Sequence, residues 1–211
     1  MFHIDAVQAA GKIPVNVKEL NADTLSLSGH KLHAPKGIGA LYVREGSPLS
    51  PLLIGGGQEN GRRAGTENVA SIVGFGKACE IAGKRLREDM VHVTRLRERL
   101  ESGLLKHFPS ASINGFTAHR LPNTCSISFP GVEGEQILRI LDKKGICASA
   151  GSACSAGSAN PSHVLSAMAV PEDMINGSVR FSLSRYSTEA EVDEVIAALS
   201  SFPSLRNGNL N

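Results

Sequence analysis

A chain of 211 residues with 41% apolar side chains is long enough to bury a core in one large domain or two small ones, and it reads as globular. Its 22 basic and 20 acidic side chains leave a net charge of +2 with no basic tract, and with only seven Phe and two Tyr there is no electrostatic footprint for nucleic acid. No apolar run approaches the roughly 20 residues that span a bilayer, and the N-terminus lacks a charged-then-apolar leader, so no membrane partner is expected and the cytoplasm, or an organelle matrix after processing, is the default location.

FHID, a strand-like run, follows Met1 directly with no cap, turn or polar leader, so the chain is expected to begin inside a domain whose earlier strands are missing. Short apolar runs then alternate with loops: AVQAAGK, DTLSLS, the turn around HKLHAPKG, and IGALYV. This is the pattern of successive strands and crossovers in an α/β layer. From Thr66 to about His107 the pattern becomes helical. Val69, Ile72, Val73 and Phe75 mark a first segment, and Val93, Leu96, Leu100 and Leu104 a second. Gly83 and KRLRED predict a junction between these segments and a domain boundary close by, giving domains 1–87 and 88–211.

In the second domain TCSISF predicts a strand, EQILRILDKKG a helix ended by Gly145, and SVRFSLS another strand. A last helix begins at Thr188, which with Glu191 forms a capping box ahead of a Val192, Val195, Ile196 and Leu199 face. Between Ser149 and Pro161 the residues are small and lack a bulky apolar anchor, which predicts a mobile loop. The four cysteines, Cys79, Cys125, Cys147 and Cys154, make no CxxC pair and no zinc-like spacing with His, so no metal is expected. In a reducing compartment they are free thiols.

A lysine can condense with an aldehyde cofactor only if its amine is held at the ring and is neutral often enough to attack, which requires partial desolvation. Lys31 follows an apolar strand among small and apolar neighbours, a suitable place, although a lone lysine in such a turn is ordinarily a solvated surface residue. Asp5 also ends an apolar strand, and ligands of open α/β sheets gather at that edge. A carboxylate there either pairs with a protonated ring nitrogen or caps the turn that follows it.

The runs HIDAVQAAGKIPVNV, SGHK with Pro35 and Gly37 after it, GGGQENGRRAGTEN, SAGSAC and SVRFSLSR occur here in order, reaching from residue 2 to about residue 200. In this the chain resembles the group I (NifS/IscS-like) cysteine desulfurases. The resemblance implies an α/β fold, namely the C-terminal part of a fold-type I transferase dependent on pyridoxal 5'-phosphate (PLP), with a partial large α/β domain and a small α+β domain. It implies that Lys31 condenses with the cofactor, Asp5 contacts its pyridine nitrogen, Gln8 its phenolic oxygen, and Ser28 and His30 its phosphate. For Ser28 and His30 the competing reading is turn chemistry. Thr66 would reach the phosphate of the other subunit of a homodimer; its competing reading is a cap of the next helix, and the two roles can coexist. Arg62 and Arg63 either line the same entrance or are solvated. His3, His33 and His163 carry no expected role.

Desulfuration needs a thiolate, and a free cysteine titrates near pH 8.5, so its surroundings must raise the thiolate fraction. The resemblance assigns this role to Cys154, on a loop at about 147–161 able to carry it to the cofactor and then outward. Cys147, Cys79 and Cys125 are read as packing positions. Arg180 would bind the carboxylate of L-cysteine through its planar fork of donors, with Arg185 as competitor. The long loop resembles group I, which passes sulfur to a scaffold or other acceptor protein, more than group II; Ala159, Asn160 and Pro161 replace the frequent Leu-Glu-Pro, which leaves the acceptor open. A comparable length of chain would precede HIDAVQ and supply a ring-stacking histidine and further phosphate ligands, so little activity is expected of this chain alone. The rival readings are a non-catalytic piece that docks on sulfur-transfer partners, and a related selenocysteine lyase or class V aminotransferase.

Overall fold

In the computed structural model, which describes residues 1–150 and 162–202, the chain divides into two compact units, Met1–Glu88 and Asp89–Asn211.

The first unit holds a three-stranded sheet in the order β1-β2-β3, with β1 at His3–Asp5, β2 at Thr24–Ser28 and β3 at Gly39–Val43. β1 and β2 are parallel, with Asp5 beside Ser26, whereas β3 returns antiparallel, with Gly39 beside Ser28. His3 ties the parallel pair together by side chain as well, Nδ1 lying 2.8 Å from Thr24 Oγ1 and Nε2 3.4 Å from Ser26 Oγ. A tight 3-10 turn at Gly29–Leu32 follows β2 directly. Leu32 roots that turn in a small core of Phe75, Ala78 and Ala82 from the first part of helix α1 (Val69–His107). Gly11 is obligatory in this packing: its φ is +71°, and a Cβ there would run into Leu32 Cδ2.

The segment read as two helices is one. α1 is helical from Val69 to His107 without interruption. Gly83 does not break it, because a glycine in a helix interior costs only about 1 kcal/mol relative to alanine and its surroundings leave open space where a Cβ would be.

The second unit has its own sheet, in the order β4-β5-β6: β4 at Ser112–Ile113, β5 at Thr124–Ser128 and β6 at Ser178–Ser182, all antiparallel neighbours. Alternation along β5 and β6 sends Cys125, Ile127, Val179 and Phe181 into a core with Leu96, Leu100, Leu104 and Phe108 of α1. Helix α2 (Gly134–Asp142) adds Ile137 and Leu141, and α5 (Glu189–Ser200) adds Val192 and Leu199. The short helices α3 (His163–Ala167) and α4 (Glu172–Asn176) precede β6. Phe108 and Phe129 meet edge to face, with ring centroids 5.4 Å apart. The capping box expected at Thr188 and Glu191 is formed reciprocally, by backbone N–H donation at 3.2 and 2.7 Å.

Candidate active site

Because β1 and β2 run parallel, their carboxyl ends emerge at one edge of the first sheet. Asp5 ends β1, and Ser28 ends β2 and leads into the turn bearing His30 and Lys31. Gly29 permits this turn: it is buried, its N–H donates to the Ile38 carbonyl at 2.8 Å, and a Cβ would stand 2.7 Å from Ile38 Cγ2. Ser28 Oγ and His30 Nδ1 are 3.0 Å apart, so hydroxyl and imidazole act as a pair. Lys31 is half-buried, while its backbone carbonyl accepts from Lys12 Nζ at 3.1 Å.

Asp5 is exposed and does cap the following turn, Oδ1 accepting from the Val7 N–H at 2.9 Å. Only one of its oxygens is used in that bond. Gln8 stands exposed on the same turn, which is closed by donation from Ala9 and Ala10 N–H to the Ala6 carbonyl. Lys12, which fastens the lysine turn, was missed by sequence reasoning; its only signal is its place at the end of the AVQAAGK run.

Thr66 lies exposed in the segment ahead of α1, and it is not the cap of that helix. Asn68 fills that position, Oδ1 accepting from the Ser71 N–H at 3.2 Å while its carbonyl accepts from Ile72 N–H. The glycine-rich run before it includes two consecutive residues in left-handed backbone, Glu59 (φ 50°) and Asn60 (φ 55°), and Gln58 Oε1 accepts from the Gly65 N–H at 3.1 Å. Arg62 and Arg63 are exposed, and Arg63 donates to the neighbouring Ala64 carbonyl.

In the second unit the two candidate arginines separate physically. Arg185 is committed, its Nε 3.2 Å from Asp89 Oδ2 in an ion pair whose side chains are only 8% and 9% exposed. Arg180, in β6, keeps a buried Nε with no hydrogen-bond partner among the described residues. An unsatisfied buried donor on a cation is costly unless an anion meets it. Ser149 and Arg180 exchange backbone hydrogen bonds at 3.1 and 2.7 Å, so the chain leading toward Cys154 is fastened at Arg180. Cys154 itself lies outside the described residues.

The other thiols differ from expectation in part. Cys125 is fully buried, and burial pushes its thiol up to about 12, which makes it inert near neutral pH. Cys147 and Cys79 are exposed rather than packed. Cys147 sits beyond the last turn of α2, after Gly145 turns the chain through a positive φ of 73°, and Cys79 occupies the outer side of α1, where partial burial still raises its pKa. Among the described residues no group of three or more His, Cys, Asp or Glu side chains gathers to hold a metal, and no helix is long and apolar enough to cross a membrane.

Residues 1–195 match the family model described as aminotransferase class-V. The chain belongs to that family. Among similar proteins, one named cysteine desulfurase, from Trichormus azollae, is 58% identical over 199 residues, which is 94% of this chain and 50% of that one. Another, named cysteine desulfurase NifS, from Azotobacter vinelandii, is 55% identical over 93% of this chain and 49% of its own. The class-V chain therefore spans about half the length of the curated relatives it matches. Its α/β architecture is that of the solved NifS-like protein of Rickettsia africae, with a TM-score of 0.86 at 37% identity over 95% of this chain and 52% of that one. A second solved relative, titled SspA in complex with cysteine, matches with a TM-score of 0.66 at 37% identity, covering 89% of this chain and 51% of its own. This is the fold expected of part of a fold-type I enzyme.

Proposed function

We propose that this class-V chain carries the lysine, the carboxylate-binding arginine and the acceptor thiol of a PLP-dependent cysteine desulfurase that works as a homodimer in the cytoplasm. The observation that carries the reading is the parallel register of β1 and β2, which sets Asp5 and the Ser28–His30–Lys31 turn at one sheet edge.

The donor set fits the cofactor. Asp5 has a carboxylate oxygen beyond its capping bond for a protonated pyridine nitrogen, Ser28 and His30 form a hydroxyl–imidazole pair suited to phosphate, and Gln8 is exposed nearby in sequence for a phenolic oxygen. Thr66 adds a phosphate contact to the partner subunit. PLP, when bound, draws electron density from the substrate's Cα and so loosens its Cβ–S bond. Arg180 holds the carboxylate of L-cysteine in a planar fork and fixes the direction of the Cα–H bond. Lys31, half-buried, is the amine that anchors the cofactor and moves the proton at Cα. Cys154 attacks, as thiolate, the sulfur of the substrate: the new S–S bond forms as Cβ–S breaks, the electron pair left on carbon takes up a proton, and L-alanine departs. Sulfur stays on Cys154 as a persulfide for a scaffold or other acceptor in Fe–S cluster or thio-cofactor synthesis.

The test is sulfide release from L-cysteine with PLP and a reductant. It compares this chain alone with the chain joined behind the preceding half of a relative such as that of Azotobacter vinelandii. Activity in the joined protein that vanishes in Lys31→Ala and in Cys154→Ala supports the reading. Turnover that survives Cys154→Ala points to a lyase or aminotransferase needing no thiol, and absence of sulfide from both proteins refutes the desulfurase.

A further inference from the structure

Register across the small sheet lines up four side chains on one face. Ser126 of β5 is paired with Arg180 of β6, Ser149 is bridged to the other side of Arg180, and the N–H of Asn114, just after β4, donates to the Ser126 carbonyl at 2.8 Å. Directly opposed residues share a face, with Cβ atoms about 4.5–5.5 Å apart. Asn114, Ser126, Arg180 and Ser149 therefore form one row, on the side opposite the core-facing Cys125, Ile127, Val179 and Phe181.

The hydroxyls on this face are joined by Asn114 into one hydrogen-bonded network. Ser178 Oγ donates to the Met174 carbonyl at 3.0 Å. Ser128 Oγ donates to Asn114 Oδ1 at 3.2 Å, and it lies 2.6 Å from Ser178 Oγ, a contact in which either hydroxyl can be the donor. Asn114 Nδ2 donates to Ser128 Oγ at 2.9 Å and to Ser126 Oγ at 3.1 Å. Ser126 thus ends the chain as an acceptor and keeps its own hydrogen, with no acceptor for it among the described residues. Its cross-strand neighbour Arg180 likewise has a buried Nε–H with no acceptor among the described residues. Two uncommitted donors side by side, one of them cationic, call for an anion with two oxygens.

We propose that Ser126 is a second donor to the carboxylate of the amino-acid substrate, beside Arg180, and that Asn114 positions its hydroxyl. The proposal rests on the reading of Arg180 as the carboxylate-binding residue. Ser126 removes the freedom of the carboxylate to rotate about a single cationic partner, which makes it a determinant of selectivity for α-amino acids over their decarboxylated amines.

The test uses the joined protein described above, supplied with PLP, as wild type, Ser126→Ala, Ser126→Thr and Arg180→Ala. Calorimetry follows two probes: L-alanine, which keeps the carboxylate, and cysteamine, which keeps amine and thiol without it. The Arg180 Nε–H resonance, followed by NMR, reports engagement of the guanidinium. Ser126→Ala is expected to weaken L-alanine binding about tenfold, the loss of one hydrogen bond to a charged acceptor, with cysteamine unchanged. Ser126→Thr, which keeps the hydroxyl, restores L-alanine binding. Equal L-alanine affinity in wild type and Ser126→Ala, with weakened binding in Arg180→Ala, overturns the role of Ser126 and leaves that of Arg180 standing. Unchanged affinity in Arg180→Ala, or no L-alanine binding and no Nε–H shift in wild type, overturns both. If Ser126→Ala does not fold, Ser126→Cys, of similar volume and a much weaker donor, replaces it with the same expected loss.

Discussion

At the residue scale, burial decides which polar and reactive groups are held in one state and which stay available. Cys125 is 0% exposed, and its folded-state pKa is raised from 9.0 to about 12, first by desolvation and then by Glu101. A raised pKa favours the protonated form in the fold, so the stability it contributes is complete below pH 9 and is lost as pH rises toward 12. Wild type should therefore lose stability relative to Cys125→Ala across that interval, as read by urea unfolding at stepped alkaline pH. A parallel loss in both proteins would show that another group titrates. The buried pair of Arg185 and Asp89 makes a second prediction. Asp89→Ala leaves a buried guanidinium without its carboxylate and should cost about 3–5 kcal/mol, whereas replacing both partners by apolar residues of similar volume should restore most of it. Denaturant midpoints of the single and double variants measure the difference. The sequence favoured Arg180 over Arg185 only through resemblance; that Arg185 is paired with Asp89, while Arg180 Nε has no partner among the described residues, needed three-dimensional neighbours.

At the scale of elements, local rules succeeded wherever the chemistry was local. Thr188 and Glu191 lie within one helical turn of each other, so their capping box could be read directly, and it formed. Thr188→Ala should destabilise the protein by about 1 kcal/mol, and calorimetric unfolding of the variant checks it; an unchanged transition would mean that α5 is held by packing alone. The same kind of reasoning misplaced the cap of α1. Thr66 and Asn68 are both competent acceptors, and the backbone conformation selects Asn68. The junction expected at Gly83 failed for a related reason: helix propensity penalises glycine by too little to end a helix whose hydrogen bonds continue on both sides. Cys147 was placed inside because it directly follows Gly145 and Ile146 at the end of a helix-to-strand turn, but the turn at Gly145 carries it out to solvent.

At the scale of the whole molecule, the two units differ in how much they bury. The second unit encloses a continuous core that includes Phe108, Phe129, Ile127, Ile137, Leu141 and Leu199, each at most 1% exposed, whereas the first is centred on Leu32, Phe75, Ala78 and Ala82. Local opening free energy follows buried apolar contact. Amides of β5 should accordingly exchange with deuterium at least about tenfold more slowly than those of β2, and equal rates would show the chain unfolding as one cooperative body. By itself the sequence determined the alternating strands, the core-facing helix positions, the capping box and the ordered motifs that mark the family, because each depends on residues close together in the chain. Only tertiary structure decided that Asp5 and the Lys31 turn share a sheet edge, that Arg185 is spent on Asp89, and that Ser126 stands beside an arginine whose Nε lacks an acceptor among the described residues. Those facts depend on strand direction and register, which bring together residues whose separation along the chain carries no local signal.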